Sequence, residues 1–198
     1  MKFQSYLIIV LLLLINEAIA QGNINLQNIS LVNAQNNKPV SFSEFKNSKG
    51  IAIIFTSNYC PYSKLYEDRI EQLAASYANK GIQFVLVNSN HPGATKDDSI
   101  EEMNKKASGK GYNFPYLADK DQQLQKVLGA SKTPEVYLIL PQGNQYQVVY
   151  SGAIDDNPQV GTDVSKHYLK DAMEATINGR EPAIKNTRAI GCMIKKSL

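Results

Sequence analysis

The sequence predicts an α/β fold, a central mixed sheet flanked by helices. Ile51 to Phe55 is a short, apolar, β-branched run after Gly50, the pattern of a buried strand. From Pro61 onward, Leu65, Ile70, Leu73, Ala74 and Tyr77 recur near one helical face, and Asn79-Lys80-Gly81 supplies a stop. Ile82 to Val87 is a second apolar strand, and strand, helix, strand in this order implies a right-handed crossover with parallel pairing.

The other elements follow in order. Residues 29–32 and 39–42 alternate about Asn36-Asn37-Lys38-Pro39 and predict an N-terminal hairpin, with Ser43 to Lys46 as a helical turn. Asn88 to Asp98 is a polar loop. Asp98 or Ser99 can cap a helix running to Lys106, inserted between the two halves, with Glu101 and Glu102 in its first turn. Phe114 to Leu117 is a short extended piece, and Asp121 to Leu128 a helix stopped at Gly129. Glu135 to Leu140 and Gln145 to Tyr150 form a second hairpin about Pro141-Gln142-Gly143-Asn144. The last helix is expected over Val164 to Ile177, ended at Gly179. The tail 181–198 shows little periodicity.

Residues 1–20 read as a signal peptide. Lys2 precedes nine apolar residues, Leu7 to Ile15, and Ala18-Ile19-Ala20 fits the cleavage pattern, with Gln21 as the mature start. Nine apolar residues are too few to span a bilayer, so no stable membrane insertion is expected once the signal is gone. The sequence therefore predicts an exported protein, periplasmic or secreted, with one domain over 21–180. Its net charge is +3, a value too small and too scattered for a nucleic-acid partner. His91 and His167 stand apart without ligand spacing, so no metal is expected, and no phosphate loop or dinucleotide fingerprint implies a cofactor.

The chemistry centres on Cys60. A polar loop, Thr56 to Tyr59, delivers it from the Ile51 strand to a helix whose first position is Pro61, where a missing N–H costs nothing. A cysteine at that end of the helix dipole favours the thiolate, which is the nucleophile. Ser63, three residues on, can donate a hydrogen bond to the thiolate but cannot close a bridge. Tyr59, Tyr62 and Tyr66 frame the site. The only other cysteine is Cys192. It has three open fates: resolving thiol for Cys60, half of a permanent staple, or an unconnected tail thiol. Asp155-Asp156 with Asn157-Pro158 reads as a turn rather than an acid–base pair.

Strand, loop, Cys60-Pro61-x-x and long helix resemble the active site of the thioredoxin superfamily, although the usual second cysteine is Ser63. The wider match is to the peroxiredoxin-like redoxins related to AhpC/TSA, through residues 54–56, Cys60-Pro61-Tyr62, Asn88-Ser89-Asn90, residues 114–119, Thr133-Pro134, residues 150–156 and 191–195. The resemblance implies a thioredoxin-like fold and thiol redox chemistry. It also implies a cis Thr133–Pro134 bond facing Cys60, whose exposed backbone edge pairs with a substrate peptide. Thr133, Pro134, Tyr59, Pro61 and Tyr62 then form the substrate surface, with Ser57 and Ser63 supporting the thiolate. The partners so implied are a thiol or disulfide protein, or a small peroxide, and an external thiol reductant. Departures are plain: Lys132 where relatives often have Cys, Ala153 where they often have Arg, and Ile53 at the peroxiredoxin proline position. The competing expectation is a binding module that grips extended peptides at Pro134, with Cys60–Cys192 as a static staple.

Overall fold

The computed structural model describes residues 23–91 and 93–196; the signal segment and Gln21 lie outside them. The strands are β1 (Asn23–Ile24), β2 (Ser30–Asn33), β3 (Lys38–Ser41), β4 (Gly50–Phe55), β5 (Ile82–Asn88), β6 (Tyr116–Ala118), β7 (Lys132–Thr133), β8 (Glu135–Gln142), β9 (Gln145–Gly152) and β10 (Cys192–Met193). The helices are α1 (Pro61–Tyr77), α2 (Ile100–Lys110), α3 (Gln123–Leu128) and α4 (Tyr168–Ile177). Eight strands form one sheet in the order β1-β9-β8-β4-β5-β6-β2-β3, and β7 with β10 makes a separate pair. The sheet is mixed: β4, β5 and β6 are parallel, whereas β8 runs antiparallel to β4.

β4 sits centrally and is buried along its whole length. Successive side chains of a strand point to opposite faces. Ala52 and Ile54 accordingly enter one apolar layer with Tyr66, Ile70, Met103 and Met173 of the helices. Ile51, Ile53 and Phe55 enter the other with Val87, Leu117, Leu124 and Ile194. A strand buried on both faces reads as an unbroken apolar run, which is why Ile51–Phe55 does not alternate.

Several boundaries differ from expectation, each for a local reason. The buried face of α1 is Ser63, Tyr66, Ile70, Ala74 and Tyr77. Ile70, Ala74 and Tyr77 fall on the expected face and Leu73 packs against it, but Leu65 is 48% exposed and Tyr66 takes the inward place instead. α2 runs a turn beyond Lys106 to Gly111, which has φ +66° and closes the helix through its N–H. Its cap is Ser99; Asp98 turns inward instead. α3 starts at Gln123 because Gln122 takes φ 57°, and the buried Asp119 carboxylate accepts the N–H groups of Leu124 and Gln125. α4 starts only at Tyr168, since Asp156 ties down the N–H groups of Ser165 and Lys166 in extended loop.

Candidate active site

Cys60 is the residue preceding α1, with extended backbone (φ −72°, ψ 120°), and Pro61 opens the helix. Its side chain does not cap the helix, so the sulfur is available for other bonds. It is joined in a disulfide to Cys192, with Cα atoms 6.0 Å apart. The Cys60 sulfur is buried at 1% exposure, whereas Cys192 is half-buried.

The tail reaches this point by a definite route. The Ser151 N–H donates to the Lys185 carbonyl and the Ser151 carbonyl accepts from Thr187 N–H, 3.0 Å each. The Thr187 hydroxyl contacts Tyr150 and accepts from Ala153 N–H. Gly152 makes this approach possible: at φ +130°, any Cβ there would lie 2.5 Å from Thr187 Oγ1. Farther on, β10 pairs antiparallel with β7, placing Cys192 opposite Thr133 and Met193 opposite Lys132. The Thr133–Pro134 bond is cis. The Thr133 carbonyl lies 3.0 Å from the Cys60 sulfur; a bonded sulfur has no hydrogen to donate, so that contact becomes a hydrogen bond only in the reduced thiol. Cys60, Cys192, Thr133 and Pro134 thus meet in one place.

The match to the AhpC/TSA family model covers residues 23–148. The chain belongs to the AhpC/TSA family. A hypothetical protein from Sinorhizobium meliloti 1021 is 31% identical, with a TM-score of 0.79 over 88% of this chain and 94% of its own. Peroxiredoxin Q of Xanthomonas campestris, at 16% identity and a TM-score of 0.51 over 64% of this chain and 80% of its own, shares the fold alone, which is thioredoxin-like. The thiol-disulfide oxidoreductase ResA of Halalkalibacterium halodurans is 26% identical over 104 residues, 52% of this chain and 55% of that protein. The chain therefore spans about half the length of that curated relative.

In this AhpC/TSA chain the approach loop is polar yet buried. Thr56, Ser57 and Asn58 are each under 9% exposed. What holds them is the carboxylate of Asp98, itself 2% exposed. It accepts from the Ser57 hydroxyl at 2.9 Å and from Asn58 N–H, Asn88 Nδ2 and Asn90 Nδ2 at 2.7 Å each. The Ser57 oxygen in turn accepts from the N–H groups of Tyr59 and Cys60, at 3.2 and 3.3 Å. The hydroxyl proton of Ser57 is given to Asp98, so Ser57 braces the Cys60 backbone rather than offering the sulfur a donor. Lys120 closes the cluster through the Asp98 carbonyl, and burial pushes its ammonium pKa down. Sequence reasoning missed Asp98, which read as a helix cap. Asp98→Ala is expected to leave these donors unpaired in the interior and to cost about 3 kcal/mol of unfolding free energy, read as a lower urea midpoint.

Around the disulfide, Tyr59 is 55% exposed and Pro61 is exposed, while Tyr62 is half-buried. Ser63 faces inward at 1% exposure, and neither its hydroxyl nor that of Thr133 has a hydrogen-bond partner among the described residues. Tyr66 donates to Asp155, which also pairs with Arg69 at 2.6 Å and accepts Asn157 N–H. Asp155 is therefore a buried ion-pair anchor within a turn. Burial and this carboxylate together push the Tyr66 phenol well up. No group of metal-ligating side chains occurs among the described residues, and no helix there is long and apolar enough to cross a membrane.

Proposed function

We propose that the protein is an exported thiol–disulfide oxidoreductase that cycles between the Cys60–Cys192 disulfide and a dithiol. The observation that carries this is one sulfur at a helix N-terminus bonded to another on a strand laid beside Pro134. In the reduced form the helix end favours the Cys60 thiolate. That thiolate attacks one sulfur of a substrate disulfide, forms a mixed disulfide and expels the first substrate thiolate. Cys192, deprotonated to solvent, then attacks the Cys60 sulfur, expels the second substrate thiolate and restores the Cys60–Cys192 bond. Two electrons pass to the substrate.

Regeneration uses an external dithiol. Its thiolate attacks Cys192, the half-exposed sulfur, because Cys60 is covered. The Cys60–Cys192 bond breaks and Cys60 leaves as a thiolate; a low-pKa leaving thiol departs faster. The second reductant thiolate frees Cys192, which takes a proton from solvent. A disulfide substrate suits the site better than a peroxide. The Ser57 hydroxyl proton is given to Asp98, and Ile53 stands at the peroxiredoxin proline position.

Ser63 is at the third helical position, from which a side chain can reach back to the residue preceding the helix. Its hydroxyl, without a partner among the described residues, gains one when Cys60 becomes a thiolate. Ser63→Ala is expected to raise the Cys60 pKa and slow its alkylation severalfold at about pH 6, measured with iodoacetamide on reduced protein. The function itself is tested by thiol mass mapping during turnover of a disulfide peptide with dithiothreitol. The disulfide should open in native protein and turnover should follow. A bond that resists native-state reduction, with no turnover, supports the static staple instead.

A further inference from the structure

Resting on the redox role of Cys60 proposed above, we infer that residues 190–194 are a resident copy of the substrate. The groove beside Pro134 takes an extended peptide of the form x–Gly–Cys–x–aliphatic, and the tail must leave before such a peptide enters. Strand addition to an exposed edge gives affinity through main-chain bonds, and pockets for alternate side chains give specificity. Both features are present. β7 is two residues long and, among the described residues, pairs with β10 alone, outside the main sheet. The chain on it continues with Ile194 N–H donating to the Ser131 carbonyl at 3.0 Å.

The tail positions meet different demands. Ile190 borders a depression shared with Pro134, Tyr66 and Ile154 but stays 51% exposed, so the groove sets no side-chain demand there. Gly191 leaves no room for a side chain: a Cβ there would run into the Thr133 carbonyl, with the carbonyl carbon at 2.7 Å and Pro134 N at 3.1 Å. Cys192 takes the bond to Cys60. Met193 points outward at 54% exposure, so the groove does not read it. Ile194 is 4% exposed and belongs to the apolar layer with Leu117, Leu124 and Ala130. Beyond it only backbone is gripped. Lys195 N–H donates to Asn90 Oδ1 at 2.7 Å, and its carbonyl accepts from His91 N–H and Gln122 Nε2 at 2.9 Å. The Cys60–Cys192 bond therefore occupies the place of a substrate mixed disulfide. After reduction the tethered tail still competes for the groove through its high effective concentration.

The test uses reduced, full-length Cys192→Ser protein and synthetic peptides containing Ile-Gly-Cys-Met-Ile, the cysteine capped as its thionitrobenzoate disulfide. The Cys60 thiolate attacks the peptide sulfur, a Cys60–peptide disulfide forms, and thionitrobenzoate leaves with the bonding pair as a coloured thiolate. Replacing the peptide Gly by Val, or its second Ile by Asp, should slow release by about tenfold or more, while Met to Ala should change it by less than about twofold. Adding Ile194→Asp to the Cys192→Ser protein should speed reaction with the parent peptide severalfold by loosening the resident tail. Equal rates for all peptides, while Cys60 reacts normally with the small bis-thionitrobenzoate reagent, overturn the template. An unchanged rate in the double variant overturns the competition. If Cys60 reacts with neither reagent nor peptide, the redox role fails and the template falls with it.

Discussion

Cys60→Ser is expected to abolish turnover of disulfide substrates, and Cys192→Ser to stop it after a single event with substrate held on Cys60. The two outcomes differ because the two sulfurs occupy different environments. Cys60 stands at the positive end of a 17-residue helix, its backbone N–H braced by Ser57 and through it by Asp98. A thiolate there is both stabilised and a good leaving group. Cys192 lies half-exposed on a two-residue strand rather than at a helix end. Without Cys60 nothing attacks the substrate. Without Cys192 the mixed disulfide forms but lacks its internal resolver, since Ser63 stands where a nearby second thiol would be. Mass mapping of the trapped adduct distinguishes the two variants. A trapped adduct on Cys192 in the Cys60→Ser protein would reverse the assignment.

Gly191→Val is expected to lift the tail from β7 and to leave both thiols free under conditions that oxidise the parent protein. The added side chain would collide with the Thr133 carbonyl, and that backbone cannot yield, because Thr133 and Pro134 are buried and continue into the central hairpin. The consequence for stability is large. The disulfide links positions 132 apart, and chain-entropy arithmetic for a loop of that size gives about 5 kcal/mol. Losing the pairing of β10 and the burial of Ile194 adds to this. The expected result is a lower denaturation midpoint in oxidising buffer, with two titratable thiols per chain. Reduction of the parent protein should bring the two proteins closer together. If Gly191→Val oxidises as fast as the parent and unfolds at the same midpoint, the tail is not seated as described.

Much of the fold was legible because its signals are local. Ile51–Phe55 and Ile82–Val87 are apolar on both faces, and the helix between them carries its Pro61 start and Gly81 stop within the same stretch. Ends read less well where a distant side chain sets them. α4 begins late because Asp156 captures two N–H groups, and α3 because Asp119 does. Leu65 misled because a leucine on a surface turn and a leucine in a core look alike, whereas Tyr66 earns its burial from Asp155, 89 residues away.

By itself the sequence determined an α/β domain with Cys60 between a central strand and a long helix, since strand, proline and helical spacing lie within a few residues of one another. Only the tertiary structure decided that the tail returns across the molecule, that Cys192 rather than solvent faces Cys60, and that Asp98 turns inward to hold the approach loop. Those choices depend on which distant groups exclude water together. A buried carboxylate finds its donors, and a glycine its close approach, only after the chain has packed.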